Sequence, residues 1–322
     1  MKNYLYSLTA IAVLFLAVAC SESGMSSDVE RVTKVTFTIN LNDGADSRTI
    51  GDGTTAKTLL YELRRGNEVV EKRTVANAFA NGLTCQVTLE VVAGREYDYV
   101  FWAQSPEAPY GTDDLSAIRM NYEDSPANDE HRDAFYATGS FVGGESYGHV
   151  VLRRPFAQLN VGGQDCMYEN VSLGDMYIEY STVHLKKIPS VFHPFTGEAT
   201  EPKDIEFEVA LTPDKQTGDT LWVEIDSMMI GYRYLAQNYV LAHTDKTLFD
   251  SWLGLYGSPT IEILGTPVTN IPLQRNYRTN LLFSCGGGEG GGGGGSIEMA
   301  DVSFIIVIDP NFKDDYVGPP FN

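Results

Sequence analysis

The stretch Val150-Val151-Leu152-Arg153-Arg154-Pro155-Phe156-Ala157-Gln158-Leu159-Asn160-Val161-Gly162-Gly163 lies near the middle of the chain, and the fold is read outward from it. From Ala157 onward the alternation is strict: Ala157, Leu159 and Val161 point one way, Gln158 and Asn160 the other, as a half-buried strand requires. Pro155 interrupts any ladder running through from the preceding strand, because it has no N–H to donate and holds Arg154 extended. One strand is therefore predicted to end near Arg153 and another to begin near Phe156. This makes a seam between two β domains, residues 32–153 and residues 154–322.

Strands with the same alternation flank the seam on both sides. Before it, Val35, Phe37, Ile39 and Leu41 alternate with Lys34, Thr36, Thr38 and Asn40, and a run of turn formers from Asn42 to Gly53 follows, carrying one arginine, Arg48. Leu59 to Leu63, Leu83 to Val91, Tyr97 to Ala103, Phe135 to Phe141 and Gly148 to Arg153 complete the first half. Between Glu107 and Asp133 stand eight acids and two arginines. That segment reads as a loop with a short helix near Leu115 to Met120. In the second half, strands are predicted around Met176 to Tyr180, Ile205 to Leu211, Leu221 to Ile230, Arg233 to Ala242, Ile261 to Leu264 and Tyr277 to Phe283, with a short helix around Leu248 to Leu253. Residues 286–295 are nine glycines and Glu289, a flexible connector with nothing to pack. After it, Val302, Phe304, Ile306 and Ile308 alternate with a second set that is itself apolar at Ile305 and Val307. A strand apolar on both faces needs cover on both.

Composition agrees with an all-β protein: Val, Thr, Tyr and Phe are abundant. The 43 acids against 23 bases give a net charge of -20, which repels a phosphate backbone and argues against a nucleic-acid partner.

Residues 1–20 read as an export segment. Lys2 supplies a positive charge, Tyr4 to Ala19 is almost wholly apolar, and the run ends Leu16-Ala17-Val18-Ala19-Cys20, too short for a comfortable membrane span. Small residues before Cys20 resemble a bacterial lipoprotein box, in which that cysteine is acylated (a palmitate-type anchor) and becomes the mature N-terminus. Ordinary cleavage near Ala19 is the alternative. Residues 21–31 then form a tether. Cys85, Cys166 and Cys285 remain, without CxxC spacing. Cys85 shares the buried parity of Leu83, Val87 and Leu89, so it reads as a small core residue.

Enzymatic patterns are lacking. His131, His149, His184, His193 and His243 show no metal-ligand spacing, and there is no GxSxG and no phosphate-binding loop. Glu206 and Glu208 share a strand face, as alternation alone produces. Asp113, Asp114, Asp129 and Glu130 are hard oxygen donors without EF-hand spacing. No metal, no cofactor and no catalytic residue is expected. Of the tryptophans, Trp102 and Trp222 have core-like strand settings, and all three, with Trp252, are the candidates for a stacking platform in a binding module.

The segments Ser47-Arg48-Thr49-Ile50-Gly51-Asp52-Gly53, Arg132-Asp133-Ala134-Phe135-Tyr136, Arg154-Pro155-Phe156-Ala157-Gln158-Leu159-Asn160, Gln274-Arg275-Asn276-Tyr277-Arg278-Thr279-Asn280 and Val302-Ser303-Phe304-Ile305-Ile306-Val307-Ile308-Asp309-Pro310-Asn311-Phe312, in this order, resemble the fimbrillin-type lipoproteins of Bacteroidales. The glycine run departs from that pattern. The resemblance implies two tandem Greek-key, transthyretin-like β-sandwiches, export to the outer membrane on a lipidated Cys20, and assembly with other subunits into a surface fimbrium or pilus for adhesion. It further implies that a trypsin-like protease cuts after an arginine beyond the first strand, here Arg48, and that a neighbour's C-terminal strand fills the vacated groove. In physical terms, losing Val35, Phe37, Ile39 and Leu41 leaves an apolar slot and unpaired main-chain groups, a template for strand addition. The strand bearing Val302, Phe304, Ile306 and Ile308 is the natural donor. The alternative is a surface-anchored module that binds a glycan or protein, or a non-polymerising anchor.

Overall fold

The computed structural model describes residues 31–41, 51–123, 127–145, 148–164, 178–210, 220–257, 261–284 and 304–309. The first half contributes β1 (Val32–Asn40), β2 (Thr58–Arg65), β3 (Glu68–Val75), β4 (Thr84–Val92), β5 (Glu96–Gln104), β6 (Tyr110–Gly111), β7 (Ile118–Met120), β8 (Ala134–Val142) and β9 (His149–Val151). The second contributes β10 (Phe156–Gln164), β11 (Ile178–His193), β12 (Glu198–Ala210), β13 (Thr220–Ile225), β14 (Met228–Leu241), β15 (Thr247–Gly257), β16 (Ile261–Leu273), β17 (Arg278–Ser284) and β18 (Phe304–Asp309). One 3-10 turn, Glu130–Arg132, is the only helical piece among the described residues. The protein is all-β.

Four sheets pack as two pairs. In the first, the sheet β4-β1-β9 faces the sheet β3-β2-β5-β8. Their inward side chains form one core, in which Val35, Phe37, Ile39 and Leu41 meet Leu59, Tyr61, Leu63, Tyr99, Phe101 and Phe141. In the second pair, β13-β14-β10-β17-β18 faces β16-β15-β11-β7-β6, with β12 also on β11, around Leu159, Val161, Val183, Leu185, Phe207, Leu253 and Leu281. Alternation puts these residues inward because successive strand side chains point to opposite faces.

The two pairs share a third core. Trp102, Val100 and Leu60 from the first half pack with Phe156, Phe192, Tyr239 and Leu241 from the second. The hairpin β6-β7 helps to build it by crossing to the second half, where Phe192 and Val191 of β11 pair with Ile118 and Arg119. At the seam β9 stops at Val151, an isolated bridge links Arg153 to Tyr136, and β10 starts at Phe156, one residue beyond Pro155.

Neither helix expected from sequence forms: the first stretch is a turn leading into a strand, and the second is a strand throughout. Ile118–Met120 is β7 and Leu115 is a buried loop residue of the shared core. Leu248 to Leu253 lie in β15, paired on one side with β11 and on the other with β16. Trp102 is fully buried, as its strand setting suggests, but Trp222 is 39% exposed rather than core. Cys85 is half-buried against the first core, and burial pushes its thiol up to about 11, well away from a reactive thiolate. Cys20, Arg48, Cys166, Cys285, Val302, residues 21–30 of the tether and residues 286–295 lie outside the described residues.

Candidate functional site

The first strand is not a peripheral one. β1 runs antiparallel to β4 through the register Val32↔Val92 to Asn40↔Thr84, and parallel to β9 through Thr38↔His149, Ile39↔Val150 and Asn40↔Val151. It is therefore the middle strand of its sheet. Phe37, Ile39 and Leu41 have no exposed surface and Val35 almost none. The Phe37 ring touches Tyr99, Phe101 and Phe141 at centroid distances of 5.3, 5.4 and 5.2 Å, edge-on or tilted, the arrangement aromatic quadrupoles favour. At roughly 1.5–3 kcal/mol per buried side chain these four contribute about 6–12 kcal/mol, comparable to the whole stability of a domain. The opposite face is weakly held. Thr36 and Thr88 share a hydrogen bond of 2.9 Å, and Lys34–Glu90 is a solvent-exposed ion pair.

Without β1, β4 and β9 would face each other across a slot lined by an apolar floor and two unpaired main-chain edges. An occupant would have to run antiparallel to β4 and parallel to β9. The β9 side is anchored independently of β1: Arg153 and Tyr136 exchange main-chain hydrogen bonds of 2.8 and 2.9 Å that tie the end of β9 to β8 in the facing sheet.

Just beyond the segment that carries Arg48, the chain is pinned into a buried polar knot. The Arg154 guanidinium donates from Nε and Nη2 to the two oxygens of Asp133, both at 2.7 Å, and from Nη2 to the Gly51 carbonyl as well. It lies 4.4 Å over the Phe135 ring. Arg154 and Asp133 are both buried, so each neutralises a charge that neither could carry there alone. The Gly51 N–H donates to Glu130 at 2.9 Å, and the same carboxylate accepts from Gln237 at 2.6 Å and Tyr239 at 3.1 Å. Thr55 donates to the Glu130 carbonyl. Burial raises the Glu130 carboxyl above its ordinary range, with those three donors opposing. Gly53 sits at φ +76, and a Cβ there would stand 2.9 Å from the Phe135 ring, so only glycine fits.

Motifs far apart in sequence thus meet in one place. The Arg154 N–H donates to the Asn276 side chain at 3.3 Å, and the Asn276 N–H to the Phe156 carbonyl at 2.7 Å. Arg275 donates to the carbonyls of Gly197 and Ala242 and to the Tyr136 hydroxyl. Arg154, Asp133, Gly51 and Asn276 belong to four separate sequence motifs, and nothing local in any of them points to a shared site. Glu130, weighed there as an oxygen donor for a cation, instead holds Gly51. Asp129 faces Arg132, and Asp114 accepts from Ser116.

β18, which bears Phe304, Ile306 and Ile308, is an edge strand paired with β17 from Phe283↔Phe304 to Arg278↔Asp309. Phe304 and Ile306 lean on the second core, Phe304 lying 5.7 Å from Phe283, while Val307 joins a small cluster on the outer face. Ile305 is 44% exposed and Ile308 36%. The strand is apolar on both faces and fully covered on neither.

A model of a family of unknown function, DUF6562, matches residues 27–318. No curated protein matches the sequence. Among solved structures, a fimbrial assembly protein from Parabacteroides distasonis is similar at 9% identity and a TM-score of 0.45, over 87% of this chain and 100% of that one. A candidate adhesin from Bacteroides thetaiotaomicron is similar at 10% identity and a TM-score of 0.48, over 86% of this chain and 95% of that one. A candidate cell adhesion protein from Parabacteroides distasonis is similar at 15% identity and a TM-score of 0.44, over 87% and 99%.

Proposed function

The chain belongs to the DUF6562 family, a family of unknown function, and from the placement of its first strand we propose that it is a non-catalytic structural subunit of a cell-surface fimbrium or pilus. In this reading it is exported to the outer membrane as a lipoprotein acylated on Cys20, and a trypsin-like protease cuts after Arg48. β1 then leaves, and the C-terminal strand of another subunit takes its place.

The observation that carries the reading is the position of β1: central in its sheet, inserted between two strands of opposite sense, and fully buried at Phe37, Ile39 and Leu41. A vacancy there is costly enough to drive capture of a replacement, and main-chain pairing on both sides fixes the direction in which that replacement enters. Two further features support it. The knot around Arg154 holds Gly51 to Thr55 in place, so a cut at Arg48 would free β1 on one side and leave the remaining chain tied to the body. β18 has alternating Phe304, Ile306 and Ile308 to offer to positions vacated by Phe37, Ile39 and Leu41, and it gives up little where it now lies.

The Arg48→Ala variant tests this. It is expected to fold with an unchanged melting temperature and to remain monomeric on denaturant-free gels of surface extracts, whereas the wild type is expected to give high-molecular-weight ladders. Unchanged ladders would remove cleavage at Arg48 from the account.

A further inference from the structure

The outer face of the sheet built on β11 and β15 carries an aromatic row that the assembly reading leaves without a role. Tyr180 and Tyr256 stack at 4.5 Å with planes 11° apart, and His184 meets Trp252 edge to face at 5.4 Å. All four belong to cross-strand pairs of one face, Tyr180↔Tyr256 and His184↔Trp252, with Thr182↔Gly254 between them. Gly254 keeps the row continuous. A Cβ there would lie 2.5 Å from the Trp252 ring and 2.7 Å from the Tyr256 ring, so the two rings close over the glycine and Thr182. Thr182 is accordingly 5% exposed, and its hydroxyl has no hydrogen-bond partner.

The neighbouring strand β12 sets carboxylates beside the rings: Glu208 opposite Thr182, and Glu206 opposite His184, 3.4 Å from its Nε2. Both glutamates are exposed, while the alternate residues Ile205 and Phe207 are buried in the core beneath. From Tyr180 to His184 the strand rises about 13 Å, long enough to seat more than one pyranose ring.

We propose that this face is a binding site for uncharged oligosaccharide, the sugar rings lying on Trp252 and Tyr256 and their hydroxyls donating to Glu206 and Glu208. Apolar C–H faces of a pyranose match flat aromatic rings, and ionised carboxylates are acceptors only, suited to hydroxyl donors. An extended peptide fits less well. The strands that carry the rings have no edge to give: β11 is paired on both sides, by β12 and β15, and β15 on its far side by β16, so an added strand would lie beyond β12 or β16 and not over Trp252 and Tyr256. Anionic glycans would be repelled by the carboxylates and by the net charge of -20. The site is independent of how the subunit is assembled.

The test is a glycan array of neutral, sialylated and sulfated oligosaccharides probed with the purified protein, followed by titration of the bound glycans against variants. Neutral glycans are expected to bind and anionic ones not. Trp252→Ala and Tyr256→Ala should weaken binding at least about tenfold, and the exposed Glu208→Gln, which leaves the ring packing intact, should weaken it several-fold at unchanged melting temperature. Absence of any neutral ligand, equal binding of sulfated glycans, or indifference of a bound glycan to Trp252→Ala and Glu208→Gln would each overturn the proposal. So would tighter binding of oligolysine than of every glycan, which would mark the face as a cationic-peptide site.

Discussion

Arg154 is a cation with almost no contact with water, and its partner Asp133 has none. Pairs of this kind add little over an apolar replacement but are expensive to break, because the surviving charge is stranded. Asp133→Asn should therefore lower stability by about 3–5 kcal/mol in urea unfolding. The double change Arg154→Met with Asp133→Leu should recover most of that loss. A single-variant loss below about 1 kcal/mol would mean that the pair is not buried as described. Glu130 gives a prediction with a sign. Its folded pKa is raised by burial, so the native state holds the proton more tightly than the unfolded chain. The stabilisation is complete below the ordinary value of 4.5 and is lost as pH rises through the native pKa. Glu130→Gln carries no such charge, so the variant should gain on the wild type in urea midpoint as pH rises above 4.5. A constant difference, or one that grows toward acid, would contradict the assigned shift.

Among the elements, β1 and β18 stand at opposite ends of stability. β1 is sandwiched between two strands and buried over a core, whereas β18 pairs, among the described residues, with β17 alone, and Ile305 and Ile308 are exposed. Local opening costs least where few buried contacts hold a strand. In amide exchange, β18 should lose protection orders of magnitude before β1 and β10 do; equal protection would remove it as a ready donor. The same contrast explains what sequence could and could not reveal. Strict alternation from Val35 to Leu41 and from Ala157 to Val161 identified strands, because one face of each is buried and period two follows from the pleat. In β15, Leu248, Phe249, Trp252 and Leu253 mimic a helical spacing, and pairing with β11 and β16 overrides it. β6 and β7 are too short to show a period and exist because β11 offers Val191 and Phe192 as partners. The knot was visible only in fragments. Gly51 and Arg154 are 103 residues apart, and no local pattern encodes such a meeting. The aromatic row was hidden for the same reason, since Tyr180 and Tyr256 become neighbours only through the sheet.

At the scale of the whole molecule, three large cores and a small outer cluster are found among the described residues, and only one of them contains residues of β1. Exchange of that strand can thus proceed while the second pair and the shared core around Trp102 and Phe156 keep their shape. The knot joins residues of both halves, Gly51, Glu130 and Asp133 with Arg154, Gln237 and Tyr239, so in the proposed processing it would hold the chain beyond Arg48 to the body. In the proposed assembly, strand capture would have to overcome the mutual repulsion of chains of net charge -20 through apolar burial and main-chain pairing. Mass spectrometry of chains taken from purified, heat-resistant polymer addresses this most directly. The account predicts subunits that begin at Thr49 and lack Val32–Asn40, with residues 304–309 of one chain cross-linking to β4 of another. Polymer whose subunits all retain Val32–Asn40 would contradict it.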